Sequence, residues 1–156
     1  MPRHREPDSF GFVVTDIARL IRAEMDRRIA EAGIGVTAGE ARALSHAARA
    51  GAVRQTALAE RMGVEAMTAS GYLDRLEARG LIERQPDPSD RRAKLVCLTD
   101  AAQDVLTAVT RLGDDLRLTI ASAMSDADWR ALNAGLLQVR DALASMRAEN
   151  RESDAA

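Results

Sequence analysis

The chain has few aromatic residues and one cysteine. Aromatic residues make up 3% of its 156 residues, so the core must be built mainly from Leu, Ile, Val, Met and Ala, a composition typical of packed helices. The single Cys97 excludes an internal disulfide. Together with two widely separated histidines, it forms no cluster with the spacing of metal ligands. We therefore expect a helical chain without a disulfide, a metal or a cofactor.

Long apolar runs and catalytic motifs are also missing from the sequence. No stretch of about 18 apolar residues offers a membrane span, and Asp16 and Arg19 interrupt the apolar run after the basic start, so it does not make a secretion signal. Neither a glycine-rich phosphate loop nor a nucleophile with its base can be recognised. The sequence predicts a cytoplasmic chain that is not an enzyme and has no membrane partner.

The charge is unevenly distributed along the chain. A formal net charge of −2 argues weakly against a nucleic-acid partner. However, residues 49–94 contain 9 basic and 7 acidic side chains, whereas residues 99–156 contain 6 and 10. A basic middle and an acidic C-terminal third allow one positive face on a chain that elsewhere repels polyanions.

Residues 86–99 carry the clearest local signal, that of a basic β-hairpin. The prolines and aspartates at positions 86 to 90 predict a loop. The apolar-rich runs on either side, residues 81–84 and 94–98, have strand length and should pair antiparallel. Three cations follow the tip, where long side chains can reach beyond the domain. The alternative interpretation of such a hairpin, taken alone, is a solvated surface feature.

Two short helices precede this hairpin. Thr37 and Glu40 have the spacing of a capping box, which opens a helix that we expect to end near Gly51. Apolar periodicity then predicts helices over residues 55–62 and 65–79, separated by a tight glycine turn. Such a pair matches the helix-turn-helix pattern, whose second helix enters the major groove of DNA.

Long amphipathic helices lie outside this unit. Apolar residues recur every three or four positions over residues 9–32, and Gly33 follows as a stop. Thr99 is expected to cap a long helix after the hairpin, and residues 125–128 to start a last one that ends in a polar tail. Their apolar stripes exceed what one small unit needs to cover, which favours a homodimer interface. The alternative is a monomer that packs them internally.

Three segments match a known family in order and spacing. They are residues 58–64, residues 73–84 and the run Asp87-Pro88-Ser89-Asp90-Arg91-Arg92-Ala93-Lys94, which continues into Leu98 and Thr99. On these segments the chain resembles the MarR-type winged helix-turn-helix transcriptional regulators, over about residues 10–146. The resemblance implies a mainly α fold with a small β-hairpin wing in a single domain, residues 1–156. Its DNA-binding unit would be residues 37–98, flanked by dimerisation helices over residues 9–33 and 99–147.

The resemblance also implies a homodimer, most often a repressor, that reads a near-palindromic operator in double-stranded DNA. The helix over residues 65–79 would be the recognition helix. Its groove-facing positions would be Ala66, Met67, Thr68, Ser70, Gly71 and Arg75. Of these, Arg75 is better placed for phosphate than for a base. The first half of this helix contains no arginine, and Gly71 stands where relatives often have a long or basic residue. Direct base readout should therefore be modest.

More of the specificity should then fall to the wing. The resemblance makes Arg92 the candidate for insertion into an A·T-rich minor groove. It also implies that Asp90 pairs with an arginine and fixes the geometry of the tip. Arg91 and Lys94 would contact phosphates, adding affinity and salt dependence without sequence information.

Many members of this family release DNA when a small, often aromatic anion binds. Arg42, His46 and Arg49 follow one another at helical spacing and make a cationic stripe that could receive a carboxylate. The alternative is a solvated helix face. For Cys97, a structural or passively exposed thiol is favoured over a redox sensor, because the reactive cysteine of peroxide-sensing relatives lies near the first helix.

A different class of function has to be set against the regulator. The chain could be a helical protein-interaction module that kept the winged fold and lost operator binding. The arginine-poor recognition helix and the negative net charge support this alternative. Both readings predict a dimer, so only a DNA-binding measurement separates them.

Overall fold

The computed structural model describes residues 9–154, so the basic start and residues 155–156 lie outside the described residues. Helices and strands follow one another in the order expected for a winged helix-turn-helix. They are α1 (Phe10–Ala32), α2 (Ala38–Ala50), β1 (Val53–Arg54), α3 (Gln55–Met62), α4 (Ala66–Ala78), β2 (Ile82–Asp87), β3 (Asp90–Leu98), α5 (Ala102–Ala121) and α6 (Asp126–Asp154).

The predicted helix ends are confirmed where a local signal marks them. Thr37 accepts a hydrogen bond from the Glu40 backbone, and the Glu40 carboxylate accepts one from the Thr37 backbone, which completes the capping box. Gly33 and Gly63 end α1 and α3 with φ of 60° and 64°. Glycine suits both positions because this left-handed region is costly for a residue with a Cβ.

The sheet has three strands in the order β1-β3-β2, with both pairings antiparallel. The prediction of a loop over residues 86–90 was wrong in extent. β2 continues to Asp87 and β3 begins at Asp90, with an irregularity between Pro86 and Asp87. Proline is tolerated there because β2 is an edge strand, on which a missing backbone donor leaves no ladder bond unmade. The two-residue β1 was not predicted.

Two further predictions about helix ends require correction. α5 begins at Ala102 rather than at Thr99, whose hydroxyl instead donates to the carbonyl of Gly80 at 2.6 Å. This bond ties the end of β3 to the end of α4. α6 begins as predicted, with the backbone N–H of Asp128 donating to Ser125 Oγ at 3.2 Å. It then continues as helix to Asp154, through most of the segment expected to be a polar tail.

The core lies within the unit that ends at Asp114; a second compact unit begins at Asp115. Its largest fully buried side chains are Leu44, Leu58, Leu73, Leu76 and Val96. They come from α2, α3, α4 and β3, so the helix-turn-helix and the hairpin share one interior. The close packing of these buried side chains holds the helices and the wing in one fixed arrangement.

Large apolar side chains remain exposed on α1 and on α6. Those of α1 are Phe10, Phe12, Val13, Val14, Ile17, Leu20 and Ile21, and those of α6 are Leu132, Leu136, Leu137, Leu143 and Met146. Apolar patches of this kind are typical of surfaces that bind a protein, a membrane or a ligand. Among the residues that the structure describes, we find no helix long and apolar enough to cross a membrane.

Candidate nucleic-acid interface

The outward face of α4 is set by the residues it buries. Ala69, Leu73 and Leu76 are at most 1% exposed. Their burial turns the opposite side of the helix to solvent, where Met67 is 85% exposed. Ala66 and Thr68 are also exposed, while Ser70 and Gly71 are half-buried. The leading turns of α4 therefore present small, neutral side chains and one thioether.

Arg75 is the only predicted contact of α4 that is bonded to another helix among the described residues. Its Nε donates to Oε1 of Glu40 on α2 at 2.6 Å. The Glu40 side chain is 5% exposed, whereas that of Arg75 is 55% exposed. The guanidinium also lies over the ring of Tyr72, 5.4 Å from its centroid. The ion pair and the ring contact both orient Arg75.

Glu40 is a buried carboxylate whose charge is fully compensated. Burial favours its neutral acid, but hydrogen bonds from Arg75 and from the Thr37 backbone outweigh this effect and lower the pKa of Glu40. The carboxylate therefore stays ionised and accepts from both partners. The start of α2 and α4 are joined through this one side chain.

Tyr72 brings α4 and α2 into close contact beside this pair. A Cβ added to Gly39 would lie 2.3 Å from Cζ of Tyr72. Only glycine leaves room for the ring at this distance, so the approach of the two helices depends on Gly39. The ring in turn lies beneath the Arg75 guanidinium.

The far end of α4 is bonded to the rest of the unit. Arg84 of β2 donates to Asp74 at 2.7 Å and to Glu77 at 2.6 Å, and its side chain is 17% exposed. Arg79 donates to the carbonyl of Gly35, between α1 and α2. These bonds fix both the angle of the wing to α4 and the C-terminal end of α4.

The tip of the wing is held by Asp87, not by Asp90. Arg54 Nε donates to Asp87 at 2.6 Å, and the backbone and hydroxyl of Ser89 donate to the same carboxylate at 2.8 and 2.7 Å. The bonds from Ser89 and Arg54 lower the pKa of Asp87 to about 2. Asp90 accepts from the backbone of Arg92 at 3.0 Å. The expectation that Asp90 carries the arginine pair is thus corrected.

The wing cations, Arg91, Arg92 and Lys94, are exposed. Within residues 9–154 their side chains have no ion-pair partner, unlike Arg75 of α4, which is paired with Glu40. Side chains alternate along a strand, so Arg92 and Lys94 share one face and Arg91 lies on the other. A pocket of ≈ 240 Å³ beside the wing is lined by Arg54, Gln55, Thr56, Arg92, Ala93 and Lys94.

The predicted effector residues also come together. Arg42, His46 and Arg49 line a pocket of ≈ 150 Å³ together with Ser45. Burial lowers the pKa of His46, and the charges of Arg49, Arg61 and Arg42 lower it further. The imidazole is therefore neutral at pH 7, and the positive charge of this pocket comes from its arginines.

A larger apolar pocket of ≈ 330 Å³ adjoins the first. Helices α1, α2 and α5 line it, and its residues are Ala18, Ile21, Arg22, Met25, Asp26, Ile29, Ala41, Arg42, Ser45 and Val109. Arg42 lines both pockets and is paired with Asp26 at 3.0 Å. In the part of the chain described by the structure, no group of His, Cys, Asp and Glu side chains is arranged to hold a metal.

Sequence reasoning missed Arg54, Glu40 and Asp87 as residues of this interface. Arg54 and Asp87 are 33 positions apart, and Arg75 and Glu40 are 35 apart. Glu40 was assigned only its capping role, which is visible within four consecutive residues. The available signal was chemical: a glutamate that must be buried requires a cation, and arginine is the usual choice.

Residues 36–94 match the family model described as the MarR family. This part of the chain is thus similar to the MarR family. This segment runs from the start of α2 to the cations of the wing, so the family match covers the helix-turn-helix and most of the hairpin. The family resemblance of the sequence and the winged helix-turn-helix fold are both confirmed.

Individual relatives extend this result. The transcriptional regulator HosA of Escherichia coli O111:H- is 36% identical over 64 residues, which are 41% of this chain and 47% of HosA. The match thus spans about half of that relative. The apo form of MarR from E. coli is 22% identical with a TM-score of 0.74, over 86% of this chain and 98% of its own.

A third similar structure is CouR from Rhodococcus jostii RHA1 bound to p-coumaroyl-CoA. It is 23% identical with a TM-score of 0.68, over 87% of this chain and 94% of its own. At such identities the two solved structures establish that the MarR-type fold extends beyond the segment matched by the family model.

Proposed function

We propose that the chain is a sequence-specific DNA-binding transcriptional regulator that acts as a homodimer on a near-palindromic operator. The observation that carries the proposal is the pairing, within one unit, of an outward-facing α4 with a hairpin of unpaired cations. Met67 is 85% exposed on the first, and Arg91, Arg92 and Lys94 are exposed on the second. A neutral helix surface suits base edges in the major groove, and free cations suit phosphates and the minor groove.

The contacts then divide by chemistry. Thr68 and Ser70 offer hydroxyls to base edges, while Met67 and Ala66 offer apolar contact to thymine methyl groups. Arg92 enters the minor groove, where a narrow A·T-rich segment concentrates negative potential. Arg91 and Lys94 neutralise phosphates and supply salt-dependent affinity.

The exposed apolar faces of α1 and α6 support the homodimer. A second copy of the chain would cover both faces, since the same helices are exposed on each copy. A two-fold dimer places its two recognition helices on half-sites about 34–36 Å apart, which is one turn of DNA. Binding over a promoter would then block transcription, which makes repression the expected outcome.

A small amphipathic anion would control this activity. Its apolar part fits the ≈ 330 Å³ pocket between α1, α2 and α5, and its carboxylate would meet Arg42 in exchange for Asp26. His46 and Arg49 extend the positive charge beside Arg42. The p-coumaroyl-CoA bound by CouR is a ligand with both an apolar and an anionic part.

The decisive test is binding to the DNA immediately upstream of the chain's own gene. Fluorescence anisotropy should show a preference of at least about a thousandfold over a scrambled duplex at physiological salt. Equal affinity for the two duplexes would reject the regulator and favour a protein-interaction module. Sedimentation of the complex should show two chains per duplex.

The effector is tested separately. A thermal-shift series of aromatic carboxylic acids should raise the unfolding temperature of the wild type and leave Arg42→Gln unshifted. The same acids should release the operator in the anisotropy assay. If saturating concentrations stabilise neither protein, operator binding is not controlled by this class of ligand.

A further inference from the structure

The leading turns of α4 lack the side chain that most often reads DNA. Residues 66–71 contain no arginine or lysine, although an arginine on guanine is the commonest specific contact in the major groove. We propose that Arg75 supplies this missing guanidinium and reads a base, and that Glu40 holds it in position. The inference rests on the proposed function, and it changes the expected role of Arg75 from a phosphate contact to a specificity-determining residue.

The first argument is the direction of the Arg75 side chain. Long side chains on a helix point back toward its N-terminus. Arg75 follows this rule, since its Nη1 lies 3.6 Å from the position that a Cβ of Gly71 would occupy. The guanidinium therefore lies over the preceding turn of α4, beside Gly71. Gly71 leaves this space open because it has no side chain of its own.

The second argument is that the guanidinium group of Arg75 is already oriented. The Nε bond to Glu40 and the contact with the Tyr72 ring fix the plane of the guanidinium. In the described part of the chain the two Nη groups make no hydrogen bond, and the side chain is 55% exposed. A fixed plane with two free donors is the geometry that guanine O6 and N7 require.

The third argument concerns charge. Glu40 is ionised and 2.6 Å from Arg75, so the pair is neutral as a whole. A phosphate gains little from a neutral pair, because its affinity for a side chain comes from charge and counterion release. The acceptors of guanine are uncharged, and their hydrogen bonds to the Nη groups do not depend on a net charge. The arrangement therefore favours a base over the backbone.

Glu40 acts through Arg75 and is a positioning residue. Its two oxygens have separate tasks, since one accepts from the Thr37 backbone and the other from Arg75. Glu40→Gln keeps the first, because a glutamine carbonyl also completes a capping box. It removes the second, because an amide NH₂ cannot accept from Nε. This variant frees Arg75 while α2 keeps its cap.

The experiment compares Arg75→Lys, Glu40→Gln and Arg79→Gln with the wild type. Arg79 is the matched control, since it is an arginine four positions later, directly after the end of α4, and among the described residues its side chain bonds only to Gly35. Binding to the upstream duplex and to a scrambled duplex is measured at several salt concentrations. Single base-pair changes across the half-site then locate the base that Arg75 contacts.

We expect Arg75→Lys to reduce the preference for the upstream duplex by about 5- to 150-fold, with scrambled binding and the salt slope unchanged. One guanine position should lose its importance in this variant and in Glu40→Gln, and keep it in Arg79→Gln. If Arg75→Lys binds like the wild type while Arg75→Ala lowers the salt slope by about 1 on both duplexes, Arg75 contacts phosphate and the proposal is overturned.

An equal loss in all three variants, Arg79→Gln included, would also overturn the proposal, since it indicates a general effect on the fold. A wild type without any preference would instead reject the proposed function, and the role of Arg75 with it. Failure of the inference and failure of the proposed function are thus distinguished by the wild type alone.

Discussion

In α4 and in the wing, charged side chains are used in opposite ways. Arg75 on α4 is bonded to α2, and Arg79, directly after α4, is bonded to the loop before α2; Asp74 and Glu77 on α4 are bonded to Arg84. On the wing, the side chains of Arg91, Arg92 and Lys94 are free of ion pairs as far as the structure describes the chain. The helix uses charge to fix its own orientation, whereas the wing leaves charge available for a polyanion.

This difference assigns separate tasks to the two regions. Free, exposed cations contribute affinity that falls steeply with salt. Side chains held by the protein contribute little to counterion release, but they present donors at fixed positions and so contribute discrimination. We therefore expect the salt dependence of binding to follow the wing and most major-groove specificity to follow α4.

The largest expected effect comes from the wing cation assigned to the minor groove. Arg92→Ala should weaken operator binding by about tenfold or more, because no other side chain replaces it in the groove. Arg91→Ala should cost only a few-fold. Anisotropy titrations on the operator and on a version with its A·T flank changed to G·C measure both. Equal small losses in the two variants would refute the groove assignment of Arg92.

The next effect tests the attachment of the wing to α4. Arg84→Ala should lower the free energy of unfolding by about 1–2 kcal/mol, because it removes the ion pairs with Asp74 and Glu77. The loss is limited because both carboxylates are exposed enough for solvent to screen these pairs. Urea denaturation measures the change. Arg140→Ala is the control: its side chain is 68% exposed and pairs with an equally exposed Asp141, so it should change stability by less than about 0.5 kcal/mol. A similar loss in both variants contradicts the attachment.

A smaller effect separates the two regions by salt. Lys94→Ala and Arg91→Ala should each reduce the slope of log affinity against log salt by about 1, on operator and scrambled DNA alike. Arg79→Ala, directly after α4, should leave that slope unchanged, because its guanidinium is bonded to the carbonyl of Gly35. Titrations between low and physiological salt give the slopes. A reduced slope in Arg79→Ala would show that the helix also neutralises phosphates.

The smallest expected effect is the pH dependence of the stability that Asp87 gives to the wing tip. The pKa of Asp87 is lowered to about 2 from an ordinary 3.8, so its stabilisation is fully present above pH 3.8 and is lost as the pH falls toward 2. Asp87→Asn should therefore be less stable than the wild type at pH 5, with a smaller difference at pH 3. Urea denaturation at the two pH values tests this. An equal difference at both values would show that Asp87 stabilises the tip without its charge.

The parts of the fold that are encoded locally were predictable. Thr37 and Glu40 stand three residues apart, and Gly33 and Gly63 mark helix ends by their own conformational freedom. The buried face of α4 followed from apolar spacing alone. Each of these features depends on a few neighbouring residues, so the sequence contains the whole signal.

The arrangement of the interface was not predictable in the same way. Asp90 was expected to hold the tip because the family resemblance implied that it pairs with an arginine. Instead, Asp87 holds the tip through Arg54, which lies on a strand too short to show alternation. Arg75 was predicted to contact a phosphate because it lies late in α4, and its bond to Glu40 was not predicted. Both contacts join residues more than 30 positions apart, and only the packed core brings them together.

The bond from Thr99 to Gly80 gives the fold a mechanical property. β3 ends at Leu98 and α5 begins at Ala102, so three residues separate the wing strand from the helix whose Val109 lines the apolar pocket. The Thr99 hydroxyl clamps this short link to the end of α4. A link of three residues that is bonded in this way cannot absorb a rotation of α5 by changing its own conformation. A rotation of α5 would therefore be transmitted to both the wing and α4.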